Sequence, residues 1–164
     1  MRIAALDPVR DRAALTACLA AASDYYLLWL GHPPGAEEVD DFLTDCPPGC
    51  DPAAAQRLGL WDGAALNGVA ELSFGFPAPE AAYLGYMILR PEARGQGLGA
   101  AFLAEIEARA RAGGAQALFL AVLEANLRGM AFWRREGFAP TGVSRVLEEP
   151  GAPRHVSHSL RKPL

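Results

Sequence analysis

The sequence has no long apolar run, few cysteines and a single lysine. None of its hydrophobic stretches reaches the roughly 18 residues of a membrane span, and the N-terminal apolar segment is too short for a signal peptide. We therefore expect a cytoplasmic protein. Three cysteines, an odd number, indicate reduced thiols rather than a disulfide framework. The single lysine stands against fourteen arginines, which we attribute to codon bias.

Runs of like charge are short, and the balance of acidic and basic residues changes along the chain. The net charge is −4, but residues 1–51 carry nine acidic residues against three arginines, whereas residues 52–164 are weakly basic. No run of like charge is long enough for a nucleic-acid-binding stripe, so nucleic acid is not an expected partner. A membrane is not expected either, because no apolar run is long enough to span one. The acidic first third would instead attract a cation, such as an amine.

The length of 164 residues and a hydrophobic content of 51% predict one globular domain. The periodicity of hydrophobic residues and the positions of glycine and proline predict a mixed α+β fold, with helices first and then mostly strands. The predicted helices cover residues 11–22, 37–43, 98–112 and 126–136, and residues 24–30 continue the first as helix or irregular structure. The predicted strands cover 57–61, 66–75, 83–89, 117–123, 138–147 and 154–161. Asp7 or Asp11 is expected to cap the first helix, and the strand at 83–89, apolar on both faces, is expected to be central.

The most informative segment joins this central strand to the helix at 98–112. Gly95, Gly97 and Gly99 alternate there with larger residues, and Arg94 precedes them. Alternating glycines leave backbone N–H groups bare at a helix N-terminus, where the helix dipole adds positive charge. The segment therefore predicts a site for a pyrophosphate or a similar anion.

A dinucleotide-binding interpretation of the same glycines is the weaker alternative. Gly95-x-Gly97-x-x-Ala100 fits that fingerprint, with Glu124 at the next strand end as the ribose-binding acid. However, Pro91 and three further residues separate the strand from the first glycine, and too little chain remains for a doubly wound sheet. The lysine–serine pair of a P-loop is absent, which excludes a Walker-type NTPase.

The stretch Arg94-Gly95-Gln96-Gly97-Leu98-Gly99 resembles the acyl-CoA pyrophosphate loop of the GCN5-related N-acetyltransferase (GNAT) family, whose pattern is Gln/Arg-x-x-Gly-x-Gly/Ala. The preceding Leu89-x-Pro91 is similar to that family's strand end. Asn126 and the later Trp133-x-x-x-Gly137-Phe138 are similar to its second signature. The three features occur in the family's order, and the order of elements fits from residue 1 to the end.

The resemblance implies one GNAT-like domain over residues 1–164. Its fold would be a central mixed, mostly antiparallel sheet of about six to seven strands, flanked by about four helices. Its activity would be transfer of an acetyl or other acyl group from acetyl-CoA to a primary amine of a small molecule or peptide, without a metal. A homodimer is left open. A catalytically silent acyl-CoA-binding or regulatory module is the alternative, and a small dinucleotide oxidoreductase is a third.

Residue roles also follow from the resemblance. A central strand that splays from its neighbour at a bulge would hold the pantetheine arm on backbone groups of Met87 and Leu89, with the Met87 N–H facing the thioester oxygen. Asn126 and the helix after it would line the other wall. The pyrophosphate would lie on the loop residues Arg94, Gly95, Gln96, Gly97, Leu98, Gly99 and Ala100.

Trp133 stands where many members of the family carry a tyrosine that protonates the leaving thiolate. An indole N–H is a poor proton donor, but a thiol with a pKa near ~8.5 can leave as the thiolate without an acid. Two interpretations therefore remain open for Trp133, a role in the departure of the thiolate and simple packing against the cofactor arm.

A general base is needed for an ammonium acceptor, and the central strand offers no carboxylate. Glu71 on the preceding strand is the first candidate and Glu124 the second. Because the first helices cover the acceptor site in the family, Asp24, Tyr25 and Tyr26 are expected acceptor contacts. No metal site is expected, since the cysteines at 46 and 50 and the histidine at 32 lack an evident fourth ligand.

Overall fold

The computed structural model of the chain describes residues 1–148 and 150–164. Seven β-strands and five α-helices lie within these residues. In chain order they are β1 (Arg2–Ala5), α1 (Arg12–Ala21), α2 (Ser23–Trp29), α3 (Ala36–Thr44), β2 (Gln56–Asp62), β3 (Ala65–Phe74), β4 (Ala81–Leu89), α4 (Leu98–Ala112), β5 (Ala117–Leu123), α5 (Leu127–Arg135), β6 (Ala139–Leu147) and β7 (His155–Pro163). A 3₁₀ helix at Pro91–Ala93 separates β4 from the loop before α4.

The strands form one sheet in the order β1-β2-β3-β4-β5-β7-β6. Among the described strands β4 and β5 alone are parallel neighbours, and every other adjacent pair is antiparallel. The parallel pair needs a crossover, which α4 supplies. The expected mixed, mostly antiparallel sheet with a central strand at β4 is thus confirmed.

Helices cover both faces of the sheet. The first three pack on one face, where α1 buries Leu15 and Leu19 above β3. The last two pack on the other face, where α4 buries Phe102 and Ile106. Because successive strand residues point to opposite faces, β3 contributes apolar side chains to both layers and is buried along most of its length.

Strand β4 separates from β5 after a short stretch of pairing. The described ladder contains three residue pairs, the last of which is Tyr83 with Phe119. On its other side β4 stays paired with β3 as far as Leu89, but the register shifts opposite Glu71 because Gly85 is an extra residue on β4. A bulge and a wedge-shaped gap therefore lie in the middle of the sheet, as the resemblance implies.

Two local expectations need correction. The edge strand Arg2–Ala5 was not predicted. Of the two interpretations left open for residues 24–30, the helical one is confirmed, because α2 is a helix separate from α1 and follows it at Ala22. The prediction that Asp11 caps α1 was wrong, because its carboxylate accepts hydrogen bonds from the Asp7 N–H and the Arg10 guanidinium instead. The Asp7 carboxylate accepts the Arg10 N–H in the turn that precedes α1.

Candidate functional site

The loop before α4 presents backbone N–H groups to open space. Gly95 and Gly97 have φ values of +74° and +78°, in the left-handed region that side chains rarely adopt. Gly97 is the N-cap of α4, and no described side chain caps that end. A Cβ at either glycine would meet no atom within 4 Å, so backbone conformation rather than crowding requires glycine here. The loop therefore fits an anion that approaches the first N–H groups of α4.

Arg94 lies beside this helix end and already has partners. Its Nε donates to the Leu89 carbonyl oxygen at 2.9 Å, and its two terminal nitrogens bind both carboxylate oxygens of Asp24. This ion pair joins α2 to the glycine loop and lowers the pKa of Asp24. Asp24, an expected acceptor contact, therefore lies against the predicted anion site.

Two N–H groups of β4 face the gap between β4 and β5. The Arg90 N–H donates to the Asn67 oxygen on the β3 side at 2.9 Å. Because N–H groups of an extended strand alternate in direction, those of Leu89 and Met87 point to the opposite side, where β5 has diverged. These are the two backbone positions that the resemblance assigns to the acyl donor.

Helix α5 forms the far wall of that region. Asn126 caps it, with its Oδ1 accepting the Gly129 N–H at 2.9 Å. Trp133 is 9% exposed and packs edge-on against Phe132 and Phe138, at centroid distances of 4.8 and 5.4 Å. These contacts favour the packing interpretation of Trp133.

A cavity of about 540 Å³ lies between the sheet and the α2–α3 side of the molecule. Seven aromatic side chains contribute to its lining, together with one carboxylate group on β3 and three near α3. The aromatic residues are Tyr26, Trp29, Phe42, Phe76, Tyr83, Tyr86 and Phe119; the acidic ones are Glu38, Asp41, Asp45 and Glu71; and the one basic residue among the described lining is Arg145. Of the acceptor contacts expected on α2, Tyr26 is in this lining, whereas Asp24 and Tyr25 are not.

Glu71 is buried, at 4% exposure, and lines the cavity beside the bulge. Its carboxylate accepts hydrogen bonds from the Ser73 hydroxyl and the Gly85 N–H, and a Cβ on Gly85 would overlap it. Burial raises the pKa of Glu71, which makes the carboxylate a stronger base than an exposed glutamate. Glu124, by contrast, is exposed and lies 3.4 Å from His158 Nε2.

Tyr26 and Tyr86 meet above the same cavity through a hydrogen bond between their hydroxyl groups. Burial raises the pKa of Tyr26 to about 12 and that of Tyr86 well above its usual value. Both phenols therefore stay protonated at neutral pH and act as hydrogen-bond donors or packing groups, not as bases. Tyr25, with a pKa also raised to about 12 by burial, packs edge-on against Tyr26.

The cysteines are free thiols, as expected, with Cys18 buried. Cys46 Sγ donates to the Cys50 carbonyl oxygen at 3.3 Å, and Cys50 Sγ to the Phe74 carbonyl oxygen at 3.2 Å. The described part of the chain contains no group of three or more histidine, cysteine or acidic side chains that could hold a metal ion. No helix in that part is both long and apolar enough to cross a membrane.

Sequence reasoning missed most of the cavity lining. Phe76, Tyr83, Phe119 and Arg145 come from four different segments that only the folded sheet brings together. A weak signal existed in β6, where alternate residues line the cavity from Thr141 to Leu147. That periodicity identifies a shared face, but it does not say what the face covers.

A mixed sheet whose central strand parts from its neighbour beside a glycine-rich helix N-terminus defines an acyltransferase type of fold. The profile of the acetyltransferase (GNAT) family matches residues 19–138 of this chain. The chain therefore belongs to the GNAT family and is an N-acetyltransferase by class. The family, fold and enzyme class expected from the sequence are confirmed.

Solved structures share this architecture. An acetyltransferase from Thermus thermophilus is 23% identical, with a TM-score of 0.73 over 99% of this chain and 96% of that one. A Bacillus subtilis acetyltransferase in complex with CoA is 17% identical, with a TM-score of 0.68 over 99% and 98%. A ribosomal-protein-alanine N-acetyltransferase from Brucella melitensis is 20% identical, with a TM-score of 0.75 over the whole of both chains. Such identities show the fold alone, and no curated protein sequence matches the chain significantly.

Proposed function

We propose that this enzyme transfers an acetyl group from acetyl-CoA to a primary amine of a small molecule or a peptide, and that the amine binds in the aromatic cavity. The observation that carries this proposal is the position of Glu71. Its buried carboxylate faces the cavity beside the bulge at Gly85 on β4. Met87, whose N–H faces the gap, lies two residues further along the same strand. A base and an oxyanion donor are the two groups that aminolysis of a thioester requires.

The acyl donor would bind along the gap. Its pyrophosphate would accept hydrogen bonds from N–H groups of the loop, and its arm would bond Met87 and Leu89 and lie against the helix that Asn126 caps. When bound, acetyl-CoA supplies the activated acyl group. The loop residues proposed for the pyrophosphate are Arg94, Gly95, Gln96, Gly97, Leu98, Gly99 and Ala100.

In the reaction, Glu71 would take a proton from the acceptor ammonium, directly or through one water molecule. The Met87 N–H would stabilise the negative charge that develops on the acyl oxygen. Trp133 would hold the wall of the site by packing, and the thiolate would leave without an acid. Tyr26 is the acceptor contact that the cavity supports, whereas Tyr25 and Asp24 would act through the position of α2.

A catalytically silent acyl-CoA-binding module is the second candidate, and Trp133 in place of a tyrosine is the feature that favours it. The buried carboxylate in the cavity favours an enzyme, because a binding module has no need of it. A cytoplasmic location and a homodimer stay predictions.

The test is calorimetric titration with acetyl-CoA and with NAD, followed by a free-thiol assay with a panel of amines. We expect binding of acetyl-CoA but not of NAD, and release of CoA thiol that depends on the amine. Glu71→Gln should keep acetyl-CoA binding and lose most of the turnover. Acetyl-CoA binding without turnover of any amine would favour the silent module, and NAD binding without CoA binding would refute both.

A further inference from the structure

Charge is divided across the acceptor cavity. The carboxylates lie on the α3 and β3 sides, where Asp41 has a pKa raised by burial and by its acidic neighbours. Arg145 approaches from β6, at the opposite end of the sheet. Counted from β3, the order β4, β5, β7, β6 places Arg145 four strands away from Glu71, about 19 Å across a flat sheet at ~4.8 Å per strand.

The Arg145 guanidinium is not bound by other side chains in the described part of the chain. It makes no ion pair and no side-chain hydrogen bond with any other residue in the described part of the chain, whereas Arg154 nearby in the sequence pairs with Glu148 at 2.7 Å. It shares its face of β6 with Val143 and Leu147, which also line the cavity. An arginine at such a wall is suited to bind a carboxylate with two parallel hydrogen bonds.

The position of Tyr83 indicates that one small molecule can reach both charged ends of the cavity. Its side chain lines the cavity, and burial raises its pKa, with Glu71 adding to that shift and Arg145 opposing it. The phenol therefore lies within the electrostatic range of both charges. Long arginine and glutamate side chains shorten the span between them further. Aromatic rings, including Phe76 edge-on to Tyr83 at 5.1 Å, line the cavity between the two charges.

We infer that the acceptor is an amino acid with a bulky apolar or aromatic side chain, whose amino group faces Glu71 and whose carboxylate binds Arg145. This inference rests on the proposed function and narrows its acceptor. The two ends of the cavity orient a zwitterion so that only its amino end meets the acyl group. The ring-lined space receives the apolar side chain.

Two other classes of amine fit the cavity less well. A monoamine with an apolar body would leave the Arg145 side chain without a partner. A diamine would suit the carboxylates of α3 but would place its second cation in a cavity that already holds the Arg145 charge. A zwitterion satisfies both ends, and a site built to bind a group discriminates against analogues that lack it.

The experiment compares matched acceptors in the wild type, in Arg145→Gln and in the control Arg154→Gln. The acceptors are phenylalanine and leucine, the decarboxylated amines phenethylamine and 3-methylbutylamine, and putrescine as the diamine. We expect kcat/KM for each amino acid to exceed that of its decarboxylated amine by at least tenfold. Arg145→Gln should remove this preference and leave the monoamines within twofold, whereas Arg154→Gln should change neither.

A preference for the monoamines or for putrescine would overturn the inference, as would an equal loss for all acceptors in Arg145→Gln. Calorimetry of phenylalanine and leucine with the acetyl-CoA-saturated wild type is the second readout, and absence of binding also overturns it. Failure of the proposed function gives a different pattern. In that case acetyl-CoA does not bind, or no amine of any class releases CoA thiol although the amino acid binds.

Discussion

Replacing Glu71 by glutamine separates catalysis from folding at the proposed base. Glutamine keeps the shape of the side chain, its oxygen can accept the Gly85 N–H, and its amide can donate to the Ser73 hydroxyl, which now accepts. The fold should therefore be retained. What is lost is a carboxylate whose pKa burial has raised from the usual 4.5.

The expected loss follows from the acceptor's protonation. An amine with a pKa near ~10 is neutral in only about one molecule in a thousand at pH 7. Help from a positioned base is usually worth ~10²-fold or more. We therefore expect kcat/KM at neutral pH to fall by about 100-fold, or about 2.7 kcal/mol in barrier height. The deficit should shrink as the pH approaches the pKa of the amine, because the free amine then needs no base.

The stability of Glu71→Gln should not fall with its activity. A group whose pKa is raised on folding contributes stability below its unfolded pKa, and this contribution is lost as the pH rises through the folded pKa. Above that range the wild type holds a buried carboxylate in its unfavourable charged form, whereas glutamine has no charge to bury. The melting temperature of Glu71→Gln at neutral pH should thus equal or exceed that of the wild type.

The assay is kcat/KM against pH for both proteins, with melting curves at the same pH values and acetyl-CoA affinity as a control. Affinity should hardly change, because the glycine loop is elsewhere. Parallel loss of activity and stability would make Glu71 a structural residue. Superimposable pH profiles would remove it from the mechanism and make Glu124 the candidate.

Three further variants test the acyl-donor side. Gly97→Asn should weaken acetyl-CoA binding at least tenfold, about 1.4 kcal/mol by calorimetry, although asparagine tolerates the left-handed backbone. The control Gly63→Asn, at a matched positive φ of +56° in a hairpin turn, should leave binding unchanged. Equal affinities of the two variants would place the pyrophosphate elsewhere. Asp24→Asn should tighten acetyl-CoA binding a few-fold, because it frees Arg94 and removes a negative charge beside the phosphates; weaker binding would instead show that Asp24 positions the guanidinium. Trp133→Phe should cost about 1–2 kcal/mol of stability in urea melts and leave turnover within a few-fold, and a large loss of turnover with intact acetyl-CoA binding would give the indole a catalytic role.

The elements that the sequence predicts best are those whose signals are local. The helix Leu98–Ala112 and the strand Ala117–Leu123 have the predicted bounds, since a glycine loop precedes the helix and two glycines follow it. The edge strand Arg2–Ala5 was missed because four residues cannot show a period, and it is held by pairing with β2, more than fifty positions later in the chain. Asp11 fulfils the composition rule for a cap, but Arg10 and the Asp7 N–H occupy its carboxylate.

The candidate site divides in the same way. The anion loop is one short continuous segment, so it is visible in the sequence as glycines at fixed spacing. The acceptor cavity is assembled from seven strands and helices with their loops, so its lining follows from sheet order and helix placement rather than from any motif. Asp24 and Tyr25 were expected there because helix α2 covers the site, but a helix offers only one face, and Tyr26 is on it.

The early end of the β4–β5 ladder creates a strand edge inside the protein rather than at its rim. Along β4, amide protons from Tyr86 to Leu89 should alternate between slow and fast exchange with deuterated solvent, because those of Tyr86 and Ile88 point to β3 and those of Met87 and Leu89 point to the gap. A bound acyl donor would act as a substitute strand and protect the fast pair. It would also raise the melting temperature as its concentration increases. The least protected amides of the central sheet would therefore report directly on occupancy of the gap.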